Sequence, residues 1–217
     1  MASVKRLIYN GNTYTHTDYI PVVNGVDSWA VVNGVVIPWW VASAQQPATK
    51  FDEQPSGSTG VNGGYTANGY TIYCSTTINA NSYGVWRAFD GININANGWA
   101  SKNDDTSPWV AIKLTQPLKS ITVTIYNRVR SSIVNGPIAG TIEGLDSITG
   151  TSTVIGSFSG KSGSTSAAGF SVICNNYNDA YQVVKINLTN WAGKGDSSNN
   201  YIAIGEIYID GKYAKYP

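Results

Sequence analysis

The chain has 217 residues, a formal net charge of +1 and only 12% charged residues, which excludes both the basic footprint of a nucleic-acid binder and the acidity of a solvating tail. With 42% hydrophobic residues it can build a core, which excludes global disorder. Turn and strand formers dominate, with 23 Gly and 21 Asn against 3 Glu, so the composition is all-β before any motif is read. A single histidine, His16, excludes a His-rich metal site and leaves a Ser-His-Asp relay only one possible base. No apolar run approaches the roughly 20 residues of a membrane span. The opening MASVKRLIYNGNTY lacks the apolar stretch of an export signal. These features predict a protein made and assembled in a cytoplasm, with no membrane and no nucleic acid among its partners.

Residues 1–44 read as a small β unit. IYNGNTY and two copies of VVNGV place Asn-Gly pairs between β-branched or aromatic residues, as type I′ hairpins require. The pattern predicts strands at 4–9, 13–17, 20–23, 27–32 and 35–41. So short a unit makes a weak core. It nevertheless carries Tyr9, Tyr14, Tyr19, Trp29, Trp39 and Trp40. It is therefore expected to bury itself against a neighbour and to serve as an anchoring or assembly unit. His16 reads as a surface strand residue.

Residues 45–69 lose periodicity and are rich in Pro, Gly, Ser, Gln and Thr, which predicts a linker with Phe51 as an anchor point. Residues 70–217 form the main domain. YTIYCSTTI (70–78), WVAIKL (109–114), SITVTIYN (120–127), GTIEGLD (140–146), TSTVIGSF (151–158), FSVIC (170–174), QVVKINLT (182–189) and IAIGEIYI (202–209) are separated by turn-rich segments. That spacing predicts a β-sandwich or jelly roll. Cys74 and Cys174 allow one disulfide in an oxidising setting; without an export signal, two buried thiols are the favoured reading.

The motifs YGVWRAFDGININANGWAS (83–101), PWVAIKL (108–114), GTIEGLDSITGTSTVIGSF (140–158) and YIAIGEIYIDG (201–211) occur in one order. That order resembles the discoidin, or coagulation-factor C-type, domains and the related galactose-binding-like carbohydrate modules. The likeness covers about 140 residues and implies a jelly-roll sandwich. Asp90-Gly91 fits a tight turn. Trp86, Phe89, Trp99 and Trp109 read as core aromatics, the two last bridging the sheets. Alternation along AIGEIYI places Ala203, Gly205, Ile207 and Ile209 on one face, with Ile204, Glu206 and Tyr208 on the other.

The resemblance implies a structural Ca²⁺ beside the AFDG turn, held by Asp90, Glu206, the Asn97 side chain and backbone carbonyls near Arg87 and Asn95. Asn97 stands where Thr is usual, and two extra residues separate Gly91 from Trp99. The competing arrangement has Asp90 capping its own turn and Glu206 bonding Arg87 or loop amides. The pair Asp104-Asp105 reads as a solvated loop.

Sandwiches of this kind bind through loops at one end, here 78–86, 101–107, 127–138 and 190–200. Sugar recognition asks for an aromatic platform and planar donors and acceptors. Asn190, Trp191, Lys194, Asp196 and Asn199 supply one such set; Tyr126, Asn127, Arg128 and Arg130 supply a second, with the arginines as forked donors. Alternatively, Trp191 packs back on the sandwich and the arginines form a solvated rim. No phosphate loop, dinucleotide fingerprint or hydrolytic carboxylate motif is present, so no enzyme is expected. Three functions compete. The first is a bacteriophage virion appendage, a tail or head fibre whose N-terminal unit joins other virion proteins and a homo-oligomer, a trimer by analogy, and whose outer domain binds a bacterial surface glycan. The second is a structural capsid decoration or tail piece with no ligand. The third is a secreted bacterial carbohydrate-binding module.

Overall fold

The computed structural model describes residues 64–67, 69–92, 97–128, 135–162, 168–176, 179–195 and 200–213, together with five strand backbones between residues 5 and 46. In the N-terminal region β1 (Lys5–Tyr9) pairs with β2 (Asn12–His16), and β3 (Trp29–Val32) with β4 (Val35–Pro38). Each pair turns over two residues of the sequence, an Asn-Gly step, with Tyr9 opposite Asn12 and Val32 opposite Val35. Both pairs stand as separate two-stranded sheets. The expected strand at 20–23 lies outside the described residues.

All other strands join one ten-stranded antiparallel network, so the fold is the expected all-β sandwich. Its strands are β5 (Ser43–Gln46), β6 (Tyr65–Ala67), β7 (Tyr70–Cys74), β8 (Trp99–Ala100), β9 (Trp109–Asn127), β10 (Pro137–Leu145), β11 (Thr153–Phe158), β12 (Gly169–Ile173), β13 (Tyr181–Trp191) and β14 (Ala203–Tyr213). Helix is confined to single turns, α1 (Ala80–Tyr83) and a 3₁₀ turn (Val85–Ala88), and no helix among the described residues is long enough to cross a membrane.

Two runs separated in the sequence reading, 109–114 and 120–127, are one strand of 19 residues. The first part of β9 pairs with β13 and β7. The second part pairs with β14 and β12. One strand thus belongs to both layers and turns a corner between them. The corner includes Ser120, the only non-Gly residue at positive φ (49°) among the described residues. Buried Asn176 latches it. Its Oδ1 accepts from Ile121 N at 2.8 Å, its Nδ2 donates to Leu118 O at 3.3 Å, and its carbonyl accepts from Ser120 N at 3.2 Å. Three backbone groups at the bend, Ile121 N, Leu118 O and Ser120 N, are thereby paired.

Alternation along the strands fills the space between the layers with Ile72, Ile112, Leu114, Ile121, Val123, Ile125, Ile142, Ile186 and Ile207, all at most 1% exposed. Trp86, Phe89 and Trp99 join this core, as the resemblance implied. Trp109 does not. It is half-buried on the outer side, packed on Ala111, Leu145 and Val183, with Lys185 Nζ 5.0 Å from its ring centroid. The expected faces of β14 also change. Its register against β9 shifts between Ile204 and Glu206, and this bulge sends Ile204 into the same core as Ile207 and Ile209. Ala203 packs instead with Ala100 and Tyr201.

Two stretches upstream of residue 70 belong to the sandwich. β6 pairs with β7 and buries Tyr65 completely, and β5 runs along β14, pairing Ile209 with Gln46 and Lys212 with Ser43. The extended backbone of these segments therefore continues the sheets. Cys74 and Cys174 are buried free thiols.

Candidate functional site

The acidic turn assembles as the motif order suggested. The 3₁₀ turn ends at Phe89, and Gly91 takes φ 74°, the conformation that lets the chain reverse after Asp90. Asp90 Oδ1 accepts from Ile92 N at 2.8 Å, and Glu206 Oε2, 114 residues further on, accepts from the same N–H at 3.1 Å. Both carboxylates are buried, at 5% and 1% exposure. Burial first, and the neighbouring Asp90 second, push Glu206 up to about 8. Asp90 is also raised by burial, against the pull of its hydrogen bonds to Asn97 and Ile92 and of the Arg87 charge.

Asn97 occupies the middle of this cluster. Its Nδ2 donates to Asp90 Oδ2 at 2.8 Å, to Asp90 Oδ1 at 3.1 Å and to Ile92 O at 2.8 Å. Its Oδ1 accepts from Arg87 Nη1 at 2.5 Å. Gly98 permits the placement: at φ 128°, a Cβ there would lie 2.1 Å from Ile204 O, so only glycine lets this loop press on β14. The oxygens are of the hard type that Ca²⁺ takes, but they converge on an amide N–H beside a guanidinium. Among the described residues no three His, Cys, Asp or Glu side chains gather. As arranged, this donor set does not fit a calcium ion. Asn95 lies outside the described residues.

The described residues at the ends of the predicted binding loops approach one another. Ser101 N bonds Ile202 O, Ala203 N bonds Asn135 O, and Ala192 N bonds Gly136 O. The Arg128 guanidinium carbon lies 4.3 Å from the centroid of half-buried Tyr83. Asn127, next to Arg128 in the chain, and Asn135 are 3% and 5% exposed, and Asn127 Oδ1 and Asn135 Nδ2 are buried with no hydrogen-bond partner among the described residues. Sequence reading missed Tyr83 and Asn135 as site residues, because nothing in their local pattern separates them from ordinary turn residues.

Other predicted residues are placed differently. Trp191 is 2% exposed within the core and offers no open platform; Lys194 Nζ lies 4.7 Å from its ring centroid and also donates to Thr189 O at 2.6 Å. A large ring at the end of β13 gains more by filling the layer gap than by facing water. Asn190 is exposed at the end of β13, its Oδ1 accepting from the adjacent Trp191 N at 3.0 Å. Tyr126 lies on β9 opposite Glu206 in register and edge-on to Tyr208, with centroids 5.9 Å apart. Arg130, Asp196 and Asn199 lie outside the described residues. Asp104 is exposed as expected, but Asp105 ties loops together: its Oδ2 accepts from Ser75 Oγ at 2.6 Å and Thr76 Oγ1 at 2.5 Å.

No protein-family model matches the sequence, and no curated protein matches it. Solved structures match in fold. The family 32 carbohydrate-binding module of Clostridium perfringens NanJ, in complex with galactose, gives a TM-score of 0.51 at 15% identity, over 65% of this chain and 93% of its own. The C-terminal domain of a Bacteroides fragilis chitobiase gives 0.52 at 19% identity, over 68% of this chain and 97% of its own. An F5/8 type C domain, also from B. fragilis, gives 0.50 at 15% identity, over 69% and 96%. The ten-stranded part of the chain has the discoidin-like, or F5/8 type C, jelly-roll fold that the AFDG and AIGEIYIDG motifs suggested.

Proposed function

We propose that the sandwich is a non-catalytic glycan-binding module that takes a neutral sugar at its loop end, and that residues 1–44 attach it to a larger particle, in the manner of a bacteriophage tail or head appendage. The observation that carries the sugar reading is the pair Asn127 and Asn135. At that end an acceptor and a donor, Asn127 Oδ1 and Asn135 Nδ2, are buried with no partner among the described residues. Buried polar groups without partners cost free energy, and vicinal sugar hydroxyls answer a donor and an acceptor together. The structurally similar NanJ module carries galactose. The close carboxylate pair Asp90 and Glu206 is tied into its own turn, which supports binding rather than hydrolysis.

Attachment through the N-terminal unit is supported by its two separate two-stranded sheets, since such sheets are marginal in water without something to pack on. A glycan array of galactose-containing and bacterial surface polysaccharides tests the first half. Binding is expected, and Asn135→Ala should weaken it about tenfold, the loss of one hydrogen bond of about 1.4 kcal/mol. A folded protein that binds nothing on the array would leave the sandwich a structural spacer. Removing residues 1–42, which spares β5, should lower the oligomeric mass and keep sugar binding; an unchanged mass refutes the attachment role.

A further inference from the structure

We propose that Arg87 and Asn97 take the place of a divalent cation in the Asp90–Glu206 turn, so that this domain holds the turn closed with a built-in positive charge and needs no calcium. The orientation of the Asn97 amide follows from chemistry. Arginine only donates, so the Asn97 atom facing Arg87 Nη1 must be Oδ1. The opposite end, Nδ2, is then forced toward Asp90 Oδ1, Asp90 Oδ2 and Ile92 O. Three oxygens of two residues thus converge on one nitrogen, in the way that ligands converge on an ion. Guanidinium, amide and carboxylate stand in line, and the amide dipole carries the positive end of Arg87 to the carboxylate.

Two further contacts hold the device in place. The Arg87 guanidinium carbon lies 4.5 Å from the centroid of the Trp86 ring, which is itself in the core. Gly98 fixes the approach of Asn97 by its contact with Ile204 O. A calcium ion wants six to eight oxygens. Here it would have to expel an N–H group already bonded to three of them and then sit beside a guanidinium that repels it.

The test is thermal melting of the full chain in EDTA and in millimolar calcium chloride, with terbium luminescence sensitised by Trp86 as a direct probe of ion binding. The wild type should melt at the same temperature in both buffers and give no terbium signal. Asn97→Asp exchanges only the amide NH₂ for an oxygen. It should melt lower in EDTA, recover in calcium, and bind terbium that calcium displaces. Arg87→Gln releases Asn97 Oδ1 to turn toward an ion and should gain the same response, which keeps the test decisive if Asn97→Asp does not fold. A wild-type melting temperature that rises with calcium overturns the proposal. So does a folded Asn97→Asp or Arg87→Gln protein indifferent to both ions.

Discussion

Asn176→Ala should loosen the corner at which β9 passes from one layer to the other. The substitution removes an acceptor from Ile121 N and a donor to Leu118 O, 2.8 and 3.3 Å away. Both backbone groups belong to residues with no solvent exposure, so water does not replace the lost partners. An orphaned buried group costs about 1–3 kcal/mol, so two of them set the loss at about 3 kcal/mol. For a domain of this size that corresponds to a fall in Tm of about 6–12 °C. Urea unfolding followed by tryptophan fluorescence measures it, with the slope against denaturant expected to stay constant. The neighbouring, exposed Asn175→Ala is the control and should stay within about 0.5 kcal/mol of wild type. A loss for Asn176→Ala below about 1 kcal/mol, at constant slope, would refute the claim that this side chain holds the bend.

Two more expectations concern titration and reactivity. Glu206 is raised from 4.5 to about 8 in the folded chain by burial and by Asp90, so the folded state holds a proton that the unfolded chain has released. Stability should therefore fall as pH rises from about 5 to about 8. Glu206→Gln, which keeps an N–H for Asp90, should flatten that slope, with Arg87, Tyr126 and Tyr208 as the other groups facing the site. A Tm that climbs across the same interval would contradict this. Burial pushes the Cys74 and Cys174 thiols up to about 12, so neither should react with Ellman's reagent in the native protein and both should react in urea. Rapid labelling of the native chain would show that the layers open around them.

Local signals were enough for much of the fold. Period-two alternation located the strands from Tyr70 onward, because one face of each is buried and the pattern repeats every second residue. The meeting of Asp90 and Glu206 was legible only through the motif order, since 114 residues separate Ile92 from the Glu206 it bonds. Features that depend on a neighbour in space were not legible. The bulge at Ile204–Glu206 breaks the alternation and moves Ile204 to the other face, yet AIGEIYI read alone alternates without a fault. Asn176 looks like any loop asparagine until β9 bends over it. Trp191 could fill a gap or face a sugar with equal local logic, and the space between the layers decided. Tyr65–Ala67 and Ser43–Gln46 lie in or beside turn-rich sequence and become strands because β7 and β14 offer them an edge.

Sharing β9 between the layers has a consequence for how the domain comes apart. Ordinarily each sheet of a sandwich can be pictured as a leaf able to fray on its own. Here the middle of one leaf and the middle of the other are the same length of backbone, Trp109 to Asn127, hydrogen-bonded along its flanks to β7, β13, β12 and β14. Pulling this backbone out of either leaf strips the spine from both, so the most protected amides on the two sides should exchange with deuterium at a common, global rate. The domain is thereby either whole or lost, with no half-open form to offer proteases.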